Sequence, residues 1–314
     1  MRKSTKLLLG IGAAIATPIV INHVIAKKAE ARIKKVQETA LPMYEQLDYG
    51  WEYGNIRYTK TGEGKPPLLL LHGLYPGACD IEWEDVIELF AEDYTVYAPH
   101  LLGFGYSSKP ALDYCGYLYV RLIKDFAENV IGEPVTAMAS LHTAAALANC
   151  AALNPEDFNK IILISPVGLE TETPLAQDED NIIKKLLESP VLGTSFYNAI
   201  CSKKAIAEFY KSEGHPLDEE ELDKIYLSAH AGGAGGKYAL AALFGKFFNA
   251  DIKENLAGLQ VPYHIITGDS QDMNSDFKVF YGIDESYEPH IIEQTGSMPH
   301  TEKPEQFYAL VKTL

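Results

Sequence analysis

The sequence lacks the cysteine pattern of a metal site or of a disulfide-stabilised fold. Its four cysteines are far apart and form no Cys-x-x-Cys pair: Cys79, Cys115, Cys150 and Cys201. Structural zinc sites need closely spaced cysteine or histidine ligands, and disulfide frameworks are typical of short, cysteine-rich secreted chains. We therefore predict no metal site and no disulfide framework, and we expect no cofactor.

Basic residues are also few. The chain has 27 Lys and Arg against 43 Asp and Glu, which gives a formal charge of −16. A surface that binds nucleic acid needs an excess of positive charge because it contacts phosphate groups. Nucleic acid is therefore excluded as an expected partner. With 47% hydrophobic residues over 314 positions, the chain has enough apolar material for a large core.

Charged residues are absent from Leu7–Ala26, a stretch of 20 residues between Lys6 and Lys27. Because about 20 apolar residues span a bilayer as a helix, we expect residues 1–35 to form a single-pass membrane anchor. A cleaved signal peptide is the alternative. Residues 1–35 carry eight basic residues and one acidic residue, so the rest of the chain has 19 basic and 42 acidic residues, a charge of −23. The larger basic cluster follows the apolar stretch, which favours a cytoplasmic globular part.

Strands and helices alternate along the globular part. Pro67–Leu71 is a continuous apolar run, too short for a helix and suited to a parallel strand that is buried on both faces. The pattern then predicts a helix near Trp83–Ala91, a strand at Tyr94–Ala98 and a helix near Tyr117–Val130. This alternation indicates a parallel sheet covered by helices on both sides.

The stretch Pro134–Ala146 predicts a strand that turns directly into a helix. Such a turn is the geometry of a nucleophile elbow, in which the side chain at the tip projects above the end of a sheet. The usual pattern is Gly-x-Ser-x-Gly, because the tight turn leaves little room beside the nucleophile. Here Met138 and His142 stand where the glycines would flank Ser140.

These features resemble the α/β-hydrolase superfamily in their order and spacing over residues 50–314. The resemblance rests on His72-Gly73 after the apolar strand, the turn at Leu102–Ser107, the elbow, and Gly296–His300 near the C-terminus. It implies an α/β-hydrolase fold, with a mostly parallel central sheet flanked by helices and an inserted helical cap, preceded by an N-terminal hydrophobic helix. The expected divisions are an anchor or signal segment at 1–35, the core at 36–167 and 250–314, and the cap at 168–249.

The resemblance also implies a set of catalytic residues. His300 stands at the position of the base in a Gly-x-x-Pro-His pattern, and Ser140 is the candidate nucleophile. Of the acidic residues after the strand that ends at Gly268, we select Asp272 to orient the imidazole. The backbone N–H groups of Leu74 and His142 are the candidates for the oxyanion hole.

The nucleophile position itself departs from the family pattern. Counting forward from Pro134 and back from Pro155 places that position at Leu141, one residue after Ser140, and a leucine side chain cannot attack a carbonyl carbon. A second departure is His100, which stands where the family usually has Asp before its Leu-x-Gly-x-Gly turn. The elbow is therefore degenerate.

Three functions remain open from the sequence. In the first, a shift in the turn lets Ser140 act with Asp272 and His300 to hydrolyse an ester or related acyl bond of a small apolar substrate. In the second, the protein is catalytically inactive and binds a small apolar ligand or recruits a partner at a membrane. In the third, His300 acts as a base without a serine nucleophile, as in a lyase or an oxygenase. The sequence indicates no particular protein partner.

A glycine-rich stretch, Ala231–Lys237, lies in the expected cap. A phosphate-binding loop would need Gly in place of Ala231 and Ser or Thr in place of Tyr238. The stretch therefore predicts a flexible junction between two helices of the cap.

Overall fold

One eight-stranded sheet organises the molecule in a computed structural model that describes residues 17–34, 44–169, 175–269 and 289–314. Its strands are β1 (Glu45–Trp51), β2 (Gly54–Thr61), β3 (Pro67–Leu71), β4 (Thr95–Pro99), β5 (Val135–Ser140), β6 (Phe158–Ile164), β7 (Tyr263–Gly268) and β8 (His290–Ile292). Their order is β1-β2-β4-β3-β5-β6-β7-β8. β2 is antiparallel to β1 and β4, and all other neighbours are parallel. The predicted mostly parallel sheet is confirmed.

Helices flank this sheet, as the sequence predicts. They are α1 (residues 17–34), α2 (Glu84–Ala91), α3 (Gly116–Phe126), α4 (Leu141–Leu153), α5 (Asp178–Glu188), α6 (Leu192–Ile200), α7 (Lys203–Ser212), α8 (Glu219–His230), α9 (Lys237–Phe244), α10 (Lys253–Ala257), α11 (Pro299–Glu302) and α12 (Pro304–Val311). A short 3-10 turn, Asp80–Trp83, precedes α2.

The central strand β3 is buried along its whole length. Leu69 and Leu71 belong to the core that includes α3 and α4, whereas Leu68 and Leu70 belong to the core that includes α2 and α12. Successive side chains of a strand point to opposite faces, so an uninterrupted run of leucines satisfies both layers. The carboxyl ends of β3 and β5, which lie side by side, bring together the segments that carry the site residues.

Helices α5 to α9 lie between β6 and β7 in the chain, where the sequence predicts a cap. The cap boundaries at 168 and 249 stay a prediction. A buried lysine joins these helices to the core. Lys109 Nζ donates to the carbonyl oxygens of Ala231 (2.8 Å) and Ser228 (3.3 Å) in the cap, and to that of Gly105 in the core. Burial lowers the pKa of Lys109 to about 7. The first residue of the glycine-rich stretch, Ala231, thus contacts a lysine of the core.

The N-terminal helix α1 contacts the cap. Asn22 Nδ2 donates to Ser195 Oγ at 3.1 Å, Asn198 Nδ2 donates to Asn22 Oδ1 at 2.9 Å, and Arg32 pairs with Asp223 of α8.

Within the described ranges, no helix has both the length and the apolar character that a membrane crossing requires. The predicted spanning helix is therefore not supported, and the first half of its sequence, Leu7–Ala16, lies outside the described residues.

Candidate active site

Leucine occupies the tip of the elbow. β5 ends at Ser140 and α4 begins at Leu141, whose φ of 52° lies in the left-handed region. That conformation costs an L-residue about 1–2 kcal/mol, and the tight strand-to-helix turn imposes it. The loop after β3 comes so close that a Cβ atom on Gly73 would lie 2.9 Å from Ser140 Oγ and 3.1 Å from Leu141 Cδ1. The structure therefore retains the backbone of an elbow without a nucleophile at its tip.

Ser140 lies one residue before the tip and is fully buried. Its hydroxyl donates to Glu82 Oε1 at 2.5 Å. The predicted partner of Ser140 was the imidazole of His300, which instead contacts the same Glu82 oxygen. Ser140 and His300 are thus brought into one cluster, but a carboxylate lies between them.

His300 is the second residue of α11 and is also fully buried. Its Nε2 donates to Glu82 Oε1 at 3.0 Å. The ring packs on Trp83 with a centroid distance of 4.5 Å and on Phe307 at 5.7 Å. Among the described residues, Nδ1 of His300 has no hydrogen-bond partner. In a serine hydrolase Nε2 accepts the proton of the serine, whereas here that nitrogen is committed to Glu82.

Glu82 is the centre of the cluster, and four donors satisfy its carboxylate. Oε1 accepts from Ser140 and His300, and Oε2 accepts from the backbone N–H of Gly73 and from Tyr75 Oη, each at 2.8 Å. Burial raises the pKa of this carboxyl, but the hydrogen bond and charge of His300, the charge of His72 and the Ser140 hydroxyl outweigh it, so that the pKa is lowered. Glu82 is therefore ionised at neutral pH although it is only 2% exposed.

Sequence reasoning missed Glu82. It lies in the 3-10 turn before α2, a segment that reads as an ordinary acidic helix start. The only available signal was a carboxylate next to Trp83. Its burial depends on four donors from three separate segments, and no local pattern encodes that arrangement.

The predicted orienting acid, Asp272, lies outside the described residues. Asp269, another acid of the same loop, accepts from the backbone N–H of Gln294 at 2.5 Å. Among the residues that the structure describes, Glu82 is the carboxylate that contacts His300. The Asp272 assignment thus stays a prediction, and the observed ion pair of His300 is with a different residue.

Leu74 and His142 flank the elbow, as an oxyanion hole requires. Leu74 is buried after Gly73, and His142 is the second residue of α4. Burial lowers the pKa of His142 to about 4, although a hydrogen bond to the Asn249 side chain acts in the opposite direction. Thr143 Oγ1 donates to the His72 carbonyl at 2.7 Å and fixes the start of α4 against the end of β3. The oxyanion role of Leu74 and His142 stays a prediction.

His100 forms a second buried cluster beside the site. Its Nε2 lies 3.5 Å from Asp80 Oδ1, and Asp80 Oδ2 accepts from Thr59 Oγ1 at 2.6 Å. Gly105, with φ of 52°, presses against the ring, and a Cβ there would lie 2.0 Å from His100 Nδ1. Burial lowers the pKa of His100 to about 4, so the imidazole is neutral at pH 7. A neutral ring at this position occupies the space that the family usually gives to an aspartate.

No group of three or more His, Cys, Asp or Glu residues within the described ranges is arranged to hold a metal ion. The four cysteines are free thiols. The expectation from the sequence that the protein needs no cofactor stays a prediction.

Comparisons with known proteins agree with this fold. The model of the alpha/beta hydrolase family matches residues 68–310. The 2-hydroxy-6-oxo-6-(2'-aminophenyl)hexa-2,4-dienoic acid hydrolase of Metapseudomonas resinovorans is 34% identical over 119 residues, which are 37% of this chain and 40% of that enzyme. The match therefore spans about two fifths of this relative.

Two solved structures have the same architecture. A serine hydrolase of carbazole degradation, the CarC enzyme, has a TM-score of 0.68 and 21% identity over 86% of this chain and 98% of its own. A membrane phospholipase A, described as a bacterial virulence factor, has a TM-score of 0.67 and 22% identity over 98% of this chain and 97% of its own. At 21% and 22% sequence identity, the similarity to these two structures shows a shared fold only.

Proposed function

Because this chain belongs to the α/β hydrolase family, we propose that it is a member without serine-hydrolase activity, which binds a small apolar ligand instead of hydrolysing it. The observation that carries this proposal is the occupant of the elbow tip. Leu141 has the left-handed backbone of a nucleophile and no group that can attack. The nearest hydroxyl, that of Ser140, is buried and donates its proton to Glu82.

The environment of Glu82 supports a binding role. Tyr75, which donates to Glu82, stacks on Phe209 of the cap at 4.8 Å, and its hydroxyl lies 3.1 Å from that of Tyr210. Aromatic side chains with a few fixed polar groups are the usual lining of sites for apolar ligands. The cavity described under the cap, which Gly77, Phe104 and Tyr197 help to line, has a volume of only about 10 Å³. A ligand would therefore bind among these aromatic side chains only after the cap moves.

The test is labelling of the full-length protein with a fluorophosphonate probe. We expect no labelling at concentrations that label an active serine hydrolase within minutes. Labelling that disappears in Ser140→Ala would contradict the proposal, because it would identify Ser140 as a working nucleophile. A Ser202→Ala variant, which removes a hydroxyl on the cap surface, is the matched control.

Hydrolysis by Ser140 is the second candidate, and one contact favours it. The hydrogen bond of 2.5 Å from Ser140 Oγ to Glu82 Oε1 is short, as expected for a hydroxyl bound to a carboxylate. Glu82 would then be the general base in place of His300. This candidate predicts an esterase rate that is lost in both Ser140→Ala and Glu82→Gln, and the full burial of Ser140 requires the cap to open first.

A reaction that uses His300 as the base without a serine has less support. Nε2 of His300 is already a donor to Glu82, and the ring is fully buried between Trp83 and Phe307. A turnover that depends on His300 and survives Ser140→Ala would establish this alternative.

Membrane association through the N-terminal segment is part of the proposed function, with the globular part on the cytoplasmic side. The apolar sequence Leu7–Ala26 supports it, as does the alignment of a membrane phospholipase A with 98% of this chain. We expect the full-length protein in the membrane fraction of cells and expect substitution of Leu7, Leu8 and Leu9 by serine to shift it to the supernatant. Full-length protein in the supernatant would refute this part.

A further inference from the structure

Exposed apolar side chains are concentrated on one part of the molecule. Of the fourteen large apolar side chains exposed in the described ranges, eleven belong to α1 and to the cap. They are Ile19, Val20, Ile21 and Val24 of α1, Leu175, Ile182, Ile183 and Leu186 on and before α5, Leu192 and Phe196 of α6, and Phe244 of α9. The other three, Tyr117, Leu153 and Ile291, are dispersed over the core.

Helix α5 exposes its large apolar side chains. Its buried side chains are charged: Lys184 Nζ lies 2.5 Å from Asp113 Oδ1, and Asp180, which caps the start of the helix, lies 3.4 Å from the ammonium of Lys246. Its isoleucines point to solvent, and Ile182 is 71% exposed. A surface helix of a water-soluble domain usually buries its apolar residues, whereas the outer side of α5 combines apolar side chains with charged ones, as a helix at a bilayer interface does.

Helix α1 also exposes apolar side chains. Asn22 and Arg32 pair with side chains of the cap, while Ile19, Val20, Ile21 and Val24 are exposed. The hydrogen bonds of Asn22 to α6 place this helix beside the helix that carries the exposed Leu192 and Phe196, and the ring of Phe196 contacts Phe244 of α9 at 5.7 Å. The exposed apolar side chains of α1 and the cap are here named the apolar face.

We propose that the apolar face lies on an anionic lipid bilayer, with the cap helices in contact with its surface. The sequence immediately before α1, Leu7–Ala16, has no charged residue. Helices that lie in a bilayer interface bury an apolar face and carry basic residues at the headgroup level.

The distribution of charge along the chain also supports an anionic bilayer as the partner of the apolar face. Lys27 and Lys28 are exposed on α1, and residues 1–35 have eight basic residues and one acidic residue, whereas the rest of the chain has a charge of −23. The basic residues of α1 are therefore attracted to anionic headgroups. The rest of the chain, which includes the cap, is acidic, so contact of the cap with the bilayer depends on its exposed apolar side chains.

This inference rests on the proposed membrane association, and one experiment separates the two. The full-length protein is mixed with vesicles of phosphatidylcholine, with and without phosphatidylglycerol, and sedimented. We expect binding to the anionic vesicles and a decrease of about tenfold in the partition coefficient for Ile182→Ser/Leu186→Ser. Leu153→Ser, which removes an equally exposed leucine of the core, is the matched control and leaves the partition unchanged. Leu192→Ser on α6 is a second variant in case the first misfolds.

Three other results of the vesicle experiment would contradict one or both proposals. If the wild type binds and neither cap variant weakens it, the apolar face does not touch the bilayer, and membrane association through the N-terminal segment stands. If the wild type binds no vesicle, both proposals fail. If the wild type is a dimer without lipid and Ile182→Ser/Leu186→Ser is a monomer, a second copy covers the apolar face and the lipid assignment is wrong.

Discussion

Glu82 Oε1 lies 3.0 Å from His300 Nε2, and both side chains are fully enclosed by the core. The same oxygen accepts the Ser140 hydroxyl, so the carboxylate occupies the place in which a serine hydrolase joins its nucleophile to its base. This contact contributes to the stability of the site, and it engages Nε2 of His300, the nitrogen that accepts the serine proton in a serine hydrolase.

Removal of Glu82 should destabilise the fold strongly. Glu82→Ala leaves His300, Ser140, Tyr75 and the N–H of Gly73 without their acceptor, and breaking a buried pair by loss of one partner costs about 3–5 kcal/mol. Urea unfolding measures this loss. Glu92→Ala, at the exposed end of α2, is the control and should change the free energy of unfolding by less than about 0.5 kcal/mol. Equal free energies of unfolding for the wild type and Glu82→Ala would show that the four hydrogen bonds make no net contribution to stability.

A serine at the elbow tip should not restore hydrolysis by itself. In Leu141→Ser the new hydroxyl has the correct backbone position, but Nε2 of His300, the nitrogen that would contact it in a serine hydrolase, is hydrogen-bonded to Glu82. We expect no measurable fluorophosphonate labelling of this variant. Rapid labelling would show that His300 exchanges Glu82 for the new serine, and that the leucine at the tip is sufficient to prevent labelling of the wild type.

Acid should destabilise the protein through His100. Its pKa is about 4 in the folded state against 6.5 for an ordinary histidine. The unfolded chain therefore takes up this proton first as the pH falls below 6.5, and stability is lost between pH 6.5 and 4. For this residue we expect a loss of about 2 kcal/mol between pH 7 and pH 5. Unfolding of the wild type and of His100→Gln at both pH values tests this, since the variant should lack that part of the slope.

Loss of the Lys109 ammonium should loosen the cap. Lys109→Met removes three hydrogen bonds to carbonyl oxygens of the cap and the core, and we expect a loss of about 1–3 kcal/mol. Proteolysis should also become faster at Gly232 and Gly233, which lie in the turn after Ala231. Lys211→Met, on the exposed side of α7, is the control. A cleavage rate equal to that of the wild type would show that the cap is held by other contacts.

Much of the framework follows from local patterns. The five residues of β3 form an uninterrupted apolar run, and that pattern is sufficient for a strand between two helical layers. Leu141 was identifiable as the elbow tip because the resemblance to the α/β-hydrolase superfamily implies a fixed spacing from Pro134 and Pro155, and the structure confirms that position. β1 escaped prediction because Glu45–Trp51 is a polar edge strand whose partner is β2.

The chemistry of the site was less accessible. Glu82, Ser140 and His300 are up to 218 positions apart in the chain, and their contact depends on how α11 packs against the turn before α2. A carboxylate in that turn is indistinguishable from a solvated helix-start acid until its four donors are in place. The exposure of the isoleucines of α5 could not be predicted for a related reason. The periodicity of the sequence indicates that the helix has two different faces, but it does not indicate which face the protein buries.

The left-handed backbone of Leu141 has a consequence for engineering. In an active hydrolase, relief of this strain by another residue destroys the enzyme, so stability and activity compete at that position. Under the proposed function no activity depends on the side chain at the tip, and glycine adopts a φ of 52° without the penalty that leucine incurs. Leu141 is also partly buried against the core, so Leu141→Gly exchanges the relief of backbone strain for the loss of that packing. Position 141 is therefore a site at which the thermal stability of a variant measures which of the two contributions is larger.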